Sequence, residues 1–587
     1  MAPRCDRVTF LAESELTTDH DSSLDCKKVV WDSWRRHADS TPEREAIVHL
    51  STDAEPFRWH WGSLMRAASR AAAWLAEHGV QKGDVCALIV RHNPHFYPLY
   101  LGVSSLGALP AVLAYPNARL HPDKFRQGLE GMSRRSGLDQ ILTERALEPM
   151  VTPLVAGEGS TIRNILYPLE VLSLPGSSDH AIAEHAPVSP DEPCLLQHSS
   201  GTTGLQKPVV LSHRAVLEHV QRYAEAIGLN AKDRIVSWLP LYHDMGLIAA
   251  FYLPLVSGVP LVQLSPMEWV SAPILLLEAI SRERATLCWL PNFAYRFMAD
   301  RIRDEDIDGL RLDSLRLVVN CSEPVRAESH DGFHKRFARY GIKRESFGAC
   351  YAMAETTFAA TQTPPGKEAR RLLLDRAALS RGEVRVLPAN EFAGGRWCVS
   401  SGQPVPGCAL RIVDEQRKDF PPNRVGEIAI SSVSLFDGYR NYPEKTAEVL
   451  ADGWYFSGDY GFIHDGDCYV VGRKKDLIIV AGNNVFPEDV EDAVGAVPGV
   501  IAGRVVAFGV DDERLETEVL CVIAETDTQT DSEVKTLRLA ILQAGMAIDA
   551  TISRVYLVPP RWLIKSSSGK PARSTNRDRA LAELRWS

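Results

Sequence analysis

The sequence has no C-x-x-C pair, and its 11 cysteines follow no fixed spacing in 587 residues. Neither a paired-cysteine zinc site nor a disulfide framework is indicated, and a reducing cytoplasm is the expected compartment. Positive charge is also short: 65 Lys and Arg face 75 Asp and Glu, a net of −10. That balance argues against a nucleic-acid polyanion as the main partner. Residues 1–21 hold no continuous apolar core, so no secretory leader is expected. There is no internal repeat and no low-complexity tract. One uncharged stretch, residues 246–264 (GLIAAFYLPLVSGVPLVQL), is long enough to span a bilayer. Pro254, Ser257, Gly258, Pro260 and Gln263 interrupt it, so it reads as a buried helix, a turn and a buried strand, and no transmembrane segment is expected.

Apolar residues make up 45% of the chain and charged residues 24%, enough for large cores. At roughly 100–200 residues per domain, three to five folding units are expected. Residues 61–78 carry Leu64, Ala68, Ala71, Ala72 and Leu75 on one helical face, with Gly79 placed to end it. Residues 85–90 (VCALIV) form the kind of apolar run found in strands buried on both faces. Residues 95–109 are again helix-like, and further apolar runs follow at 235–239, 287–290 and 315–319. This alternation predicts α/β layers with mostly parallel sheets. Residues 364–397 are charge-rich with only short apolar pieces, which predicts an inserted surface module. Near Gly472 a second change begins a compact unit. Helices are expected near 487–496 and 532–544, strands at 505–510 and 519–524, and a basic tail after them.

Five segments carry candidate chemistry. Residues 199–207 (SSGTTGLQK) are small and hydroxylated; such a loop can surround phosphate oxygens with amides and hydroxyls, and Lys207 adds a cation. The spacing is not that of a Walker loop. In residues 350–357 (CYAMAETT), the face of Tyr351 can stack on a base and Glu355 can hold a magnesium ion. In residues 454–461 (WYFSGDYG), Asp459 suits a ribose diol. Residues 472–479 (GRKKDLII) and 566–571 (SSSGKP) offer Arg473, Lys475 and Lys570. Each also has a plainer reading: a flexible turn, a helix cap at Glu355, a turn residue at Asp459, a solvated face at Arg473 and Lys475.

In this order the five segments resemble the adenylate-forming superfamily over nearly the whole chain, and within it the fatty acyl-AMP ligase branch. The resemblance implies a large N-terminal domain of layered, mostly parallel sheets plus a β-barrel subdomain (residues 1–471), and a small mobile α+β domain (472–587). It implies that Ser200, Thr202, Thr203 and Lys207 form the phosphate loop, that Tyr351 stacks on adenine and that Thr356 helps bind the nucleotide. Glu355 then holds Mg2+, Asp459 and Arg473 take the ribose, Lys475 is the hinge and Lys570 drives adenylation. The segment at 242–246 resembles the one that lines the acyl pocket, with His243 as a gate. Tyr242, Trp289, Asn292 and Phe293 are the expected pocket walls. Gln206-Lys207-Pro208 departs from the usual P-K-G, Ala354 from the common Thr, and Ala352 from the usual Gly.

The implied activity is conversion of a fatty acid and ATP to acyl-AMP, then transfer to the phosphopantetheine of a holo acyl carrier protein, feeding polyketide, nonribosomal-peptide or lipid synthesis. Its alternatives are an acyl-CoA ligase, an aryl- or amino-acid adenylating enzyme, and a non-catalytic nucleotide binder. The 364–397 insertion favours the acyl-AMP branch, where such a module is thought to hinder the domain rotation needed for CoA thioester formation. Retention of Lys207 is a departure from many members of that branch.

Overall fold

The computed structural model describes residues 28–115, 122–155, 157, 159–174, 181–198, 206–390, 395–480, 483–512, 517–528, 530–565 and 571–584. Its centre is a nine-stranded sheet. Six strands of that sheet, among them Glu45–Ser51, Leu287–Leu290 and Leu317–Asn320, run parallel; antiparallel strands close both edges. The inner strands are short and wholly buried, as helices covering both faces require. A second, four-stranded parallel sheet is built round Val85–Ile89, every residue of which is buried.

The helix predicted at 61–78 forms as Trp61–Glu77 and ends where Gly79 takes φ +85. The expected helix at 95–109 is shorter, Phe96–Ser105, because Gly107 at φ +68 turns the chain into the strand Leu109–Val112. The uncharged 246–264 stretch divides as its breakers predict. A wide-turned helix, Met245–Tyr252, leads into Leu253–Ser257; Gly258 turns at φ +72 and the strand Leu261–Gln263 follows, all three elements lying in the core. No helix among the described residues is long and apolar enough to cross a membrane.

The sheet-rich subdomain is a five-stranded antiparallel sheet that includes Trp454–His464 and Asp467–Arg473. The charge-rich insertion folds as a small sheet of its own, Arg371–Asp375 between Val386–Leu387 and Gly395–Val399, with the helix Arg376–Ser380. After residue 486 come the helices Pro487–Gly495 and Asp531–Met546 and the three-stranded sheet Val505–Asp512, Thr517–Glu525 and Ile552–Val558, with a core of their own.

Five histidines, His49, His198, His213, His219 and His330, are buried, none more than 4% exposed. Burial holds His198 and His213 down at about 4 and His219 and His330 at about 3. The unfolded chain takes up protons at these rings below about pH 6.5, whereas the folded chain does not. Their contribution to stability is therefore complete above pH 6.5 and is lost as pH falls below it. Each ring removes about 1.4 kcal/mol for every pH unit below 6.5. The melting midpoint, followed by circular dichroism, is expected to fall steeply between pH 7 and pH 5.5; a flat profile would contradict neutral burial.

Candidate functional site

Strands Leu287–Leu290, Leu317–Asn320 and Phe347–Ala352 run side by side and parallel. Their carboxyl ends bring Asn292 and Phe293, Ser322, and Tyr351 through Glu355 to one edge, where open α/β sheets bind ligands. A cavity of about 1300 Å³ opens there, and Lys207, Tyr351, Glu355, Asp459, Arg473 and Lys475 all line it. Two non-glycine residues beside it hold left-handed backbone, Ser322 at φ +69 and Thr357 at φ +66. For a β-branched threonine this costs on the order of 1–3 kcal/mol. The fully buried Thr357 is held in it by donating its hydroxyl to the Ser434 carbonyl at 2.8 Å.

Two of the carboxylates that line the cavity, Asp459 and Glu355, are each tied by a tyrosine. The Tyr351 hydroxyl donates to Asp459 Oδ2 at 2.7 Å, and Arg473 Nε donates to Oδ1 at 3.1 Å. Beside Asp459 the Arg473 guanidinium is pushed further up, while burial and then the same carboxylate raise the Tyr351 phenol. The second tyrosine is Tyr439, whose hydroxyl donates to Glu355 Oε1 at 2.7 Å and accepts from Lys207 Nζ at 3.2 Å. Burial lowers the Lys207 ammonium, and Lys445 and Arg473 nearby lower it further against the pull of Glu355. Burial also lowers Lys475, helped by Arg473.

His243 and Asp244 line the cavity and pair with each other, Nδ1 to Oδ1 at 2.6 Å. Their loop packs so closely that a Cβ on Gly246 would lie 2.2 Å from the Pro240 carbonyl oxygen. Asn292 and Phe293 line the cavity as well. Behind Phe293 stands an aromatic wall: Trp238 and Trp269 stack at 3.6 Å, and each lies within 6.3 Å of the Phe293 ring.

Three expected site residues do not line the cavity. Trp289 is 1% exposed and its indole donates to the Tyr223 hydroxyl at 2.8 Å, so it belongs to the core behind the strand ends. Tyr242 packs edge-on against Tyr115. Thr356 turns its hydroxyl back to the carbonyls of Phe358 and Met353, at 2.8 and 3.1 Å. Ser200, Thr202, Thr203 and Lys570 lie outside the described residues.

The sequence reading missed Tyr439 and a set of ion pairs around the small unit. Arg396 of the insertion pairs with Asp489 at 2.9 Å, with the two side chains 7% and 15% exposed; Arg326 pairs with Asp492 on the same helix. Phe486 shares an apolar cluster with Leu374, Leu379 and Cys398 of the insertion. Arg573, three residues past Lys570, pairs with Asp476, Glu488 and Glu491 at 2.5, 3.2 and 3.0 Å. Pro571 and Arg573 line the same cavity as the nucleotide-type residues.

The pocket thus lies at the carboxyl edge of a parallel sheet, and Pro571 and Arg573 from near the chain end line it. The sequence matches the AMP-binding enzyme family over residues 34–440, and the chain belongs to that family. A Caulobacter vibrioides protein named a putative acyl-CoA synthetase is 30% identical over 507 residues, 86% of this chain and 87% of its own. JamA of Moorena producens, named a medium-chain-fatty-acid–acyl-carrier-protein ligase, is 32% identical over 406 residues, 67% of this chain and 69% of its own. A solved structure from a study of fatty acyl-adenylate ligases of E. coli and L. pneumophila superposes with a TM-score of 0.85. It has 25% identity and covers 94% of this chain and 98% of that one.

Breaking one arm of a buried ion pair costs about 3 kcal/mol or more. Arg396→Met is therefore expected to free the small unit, raising the initial rate of tryptic cleavage after Lys474 and Lys475 by roughly tenfold or more. An unchanged cleavage rate would contradict the clamp.

Proposed function

We propose that this enzyme activates a fatty carboxylic acid as its acyl-adenylate and delivers the acyl group to the phosphopantetheine thiol of a carrier protein. One observation carries the proposal: Lys207, Tyr351, Glu355, Asp459 and Arg473 converge on a single cavity that Pro571, the neighbour of Lys570, also lines. Phe293, which lines the cavity, offers apolar surface to an acyl chain, each buried methylene of which contributes about 0.8 kcal/mol. The names borne by JamA and by the solved fatty acyl-adenylate ligases point the same way.

In the first step a carboxylate oxygen attacks the α-phosphorus of ATP. The bond from that phosphorus to the oxygen bridging the β-phosphate breaks, and pyrophosphate leaves. The acid is already ionised, so no general base is needed, and the protein's work is positioning and charge neutralisation. Tyr351 offers its face to adenine, and Asp459 accepts from the ribose hydroxyls while Arg473 holds it. The Lys207 and Lys570 ammonium groups offset phosphate charge. Glu355 fits magnesium as one hard oxygen donor at the cavity wall, the small protein share that Mg2+ takes when phosphates supply the rest, and the ion would neutralise phosphate charge there. In the second step a thiol sulfur attacks the acyl carbonyl, AMP departs with the bonding pair and the thiol proton goes to solvent. Small-unit rotation about Lys475 would separate the two steps.

The Arg396–Asp489 pair and the shared Phe486 cluster tie the insertion to the small unit, which favours a carrier thiol over CoA. Mass detection of acyl-AMP, acyl-CoA and acylated holo carrier protein across a fatty-acid chain-length series tests the proposal. Acyl-AMP and acyl-carrier without acyl-CoA is the expected outcome, and no adduct with any acid would end it. Lys570→Ala is expected to slow acyl-AMP formation by about a hundredfold or more, as loss of one such charge costs roughly 3 kcal/mol. Transfer from supplied acyl-AMP should stay near the unsubstituted rate; equal loss in both steps would remove the assigned role.

A further inference from the structure

Tyr439 belongs to none of the five segments, yet it joins two of them. It lies in the two-residue strand Gly438–Tyr439, which pairs antiparallel with Pro208–Ser212, the strand that follows Lys207. Its backbone N–H donates to Thr446 Oγ1 at 2.9 Å. Phe436 packs against its ring at 5.0 Å, and the Phe436 N–H donates to the Glu355 carbonyl at 2.9 Å. The ring is thus fixed from its own strand and from the segment it faces.

The hydroxyl stands between opposite charges, 3.2 Å from Lys207 Nζ and 2.7 Å from Glu355 Oε1. An ammonium only donates and an ionised carboxylate only accepts. The phenol has one proton, so it accepts from Lys207 and gives that proton to Glu355. Oε1 is thereby engaged, whereas Oε2 has no hydrogen-bond partner among the described residues. With the hydroxyl gone, the oxygen that stands between the ammonium and the carboxylate is lost, while the ring, its centre 4.8 Å from Lys207 Nζ, remains. A direct Lys207–Glu355 ion pair would then neutralise two of the groups that the cavity offers to a metal–nucleotide complex.

We infer that Tyr439 is a positioning residue, a spacer that keeps Lys207 and Glu355 apart and leaves one Glu355 oxygen for the divalent cation that accompanies the nucleotide. The inference deepens the proposed function and rests on its assignment of Glu355 to the metal. The test uses the full chain, Mn2+ as probe and a saturating non-hydrolysable ATP analogue, with bound Mn2+ read by electron paramagnetic resonance. Tyr439→Phe keeps the ring and loses only the oxygen. It is expected to weaken Mn2+ binding about tenfold, while AMP affinity in chelator stays within about twofold. Removing the lysine as well, in Tyr439→Phe with Lys207→Met, is expected to restore part of the Mn2+ affinity, because the collapsed ion pair can no longer form. Mn2+ affinity unchanged in Tyr439→Phe overturns the inference. So does parallel loss of AMP binding, which would mark a structural role, or absence of any recovery in the double variant. Glu355→Gln separates the two levels. Its loss of Mn2+ upholds the metal assignment, and Mn2+ binding as in the unsubstituted chain removes that assignment whatever Tyr439 does.

Discussion

Two of the carboxylates lining the cavity, Glu355 and Asp459, each receive a tyrosine proton on one oxygen, at 2.7 Å in both cases. A cation stands on the far side of each arrangement: Lys207 beyond Tyr439, and Arg473 directly on Asp459. Carboxylates lining a partly buried cavity are costly unless their lone pairs are met. The two phenols lower that cost without cancelling the negative charge, which a second arginine or lysine would do. The cavity therefore keeps two negative groups oriented beside Lys207, Arg473 and Lys475, a mixture suited to a ligand that is itself anionic, polar and metal-associated.

That arrangement depends on the order of the sheet. Parallel pairing of Leu287–Leu290, Leu317–Asn320 and Phe347–Ala352 aligns three chain reversals at one edge. The strained Ser322 and Thr357 lie in two of them. The antiparallel sheet with Trp454–His464 then brings Asp459 from a distant part of the sequence to the Tyr351 hydroxyl. No single segment makes the site. The strand ends supply one wall, the antiparallel sheet a second, and Pro571 and Arg573, where the final helix starts, add to the lining.

Much of this was legible in the chain. Buried strands showed as short apolar runs, and the 246–264 stretch divided at its own prolines and glycine. The helix at 95–109 was read too long because its apolar residues continue into a strand; Gly107 was the available signal. Lys207, Glu355, Asp459, Arg473 and Lys475, which line the cavity, were singled out only because five segments in order resemble one family; each alone had a plainer reading. Tyr439 was not legible, being uncharged and significant only through partners in two remote segments. Trp289 was misjudged for a related reason: an aromatic residue in an apolar run looks the same whether a cavity or the core lies beyond it. The pairs Arg396–Asp489 and Arg326–Asp492 join segments with no shared pattern, so only the folded chain reveals them.

Arg573 has a mechanical consequence. It grips Asp476 together with Glu488 and Glu491, and Asp476 and Arg573 are only 9% and 15% exposed. Residue 476 is thereby bolted to the C-terminal body. Three carboxylates on two segments thus converge on one guanidinium, and moving residue 476 away from Glu488 and Glu491 requires breaking that set. The same grip joins Arg573, at the start of the last helix, to residue 476 and to the helix Pro487–Gly495, so these parts are coupled as one piece.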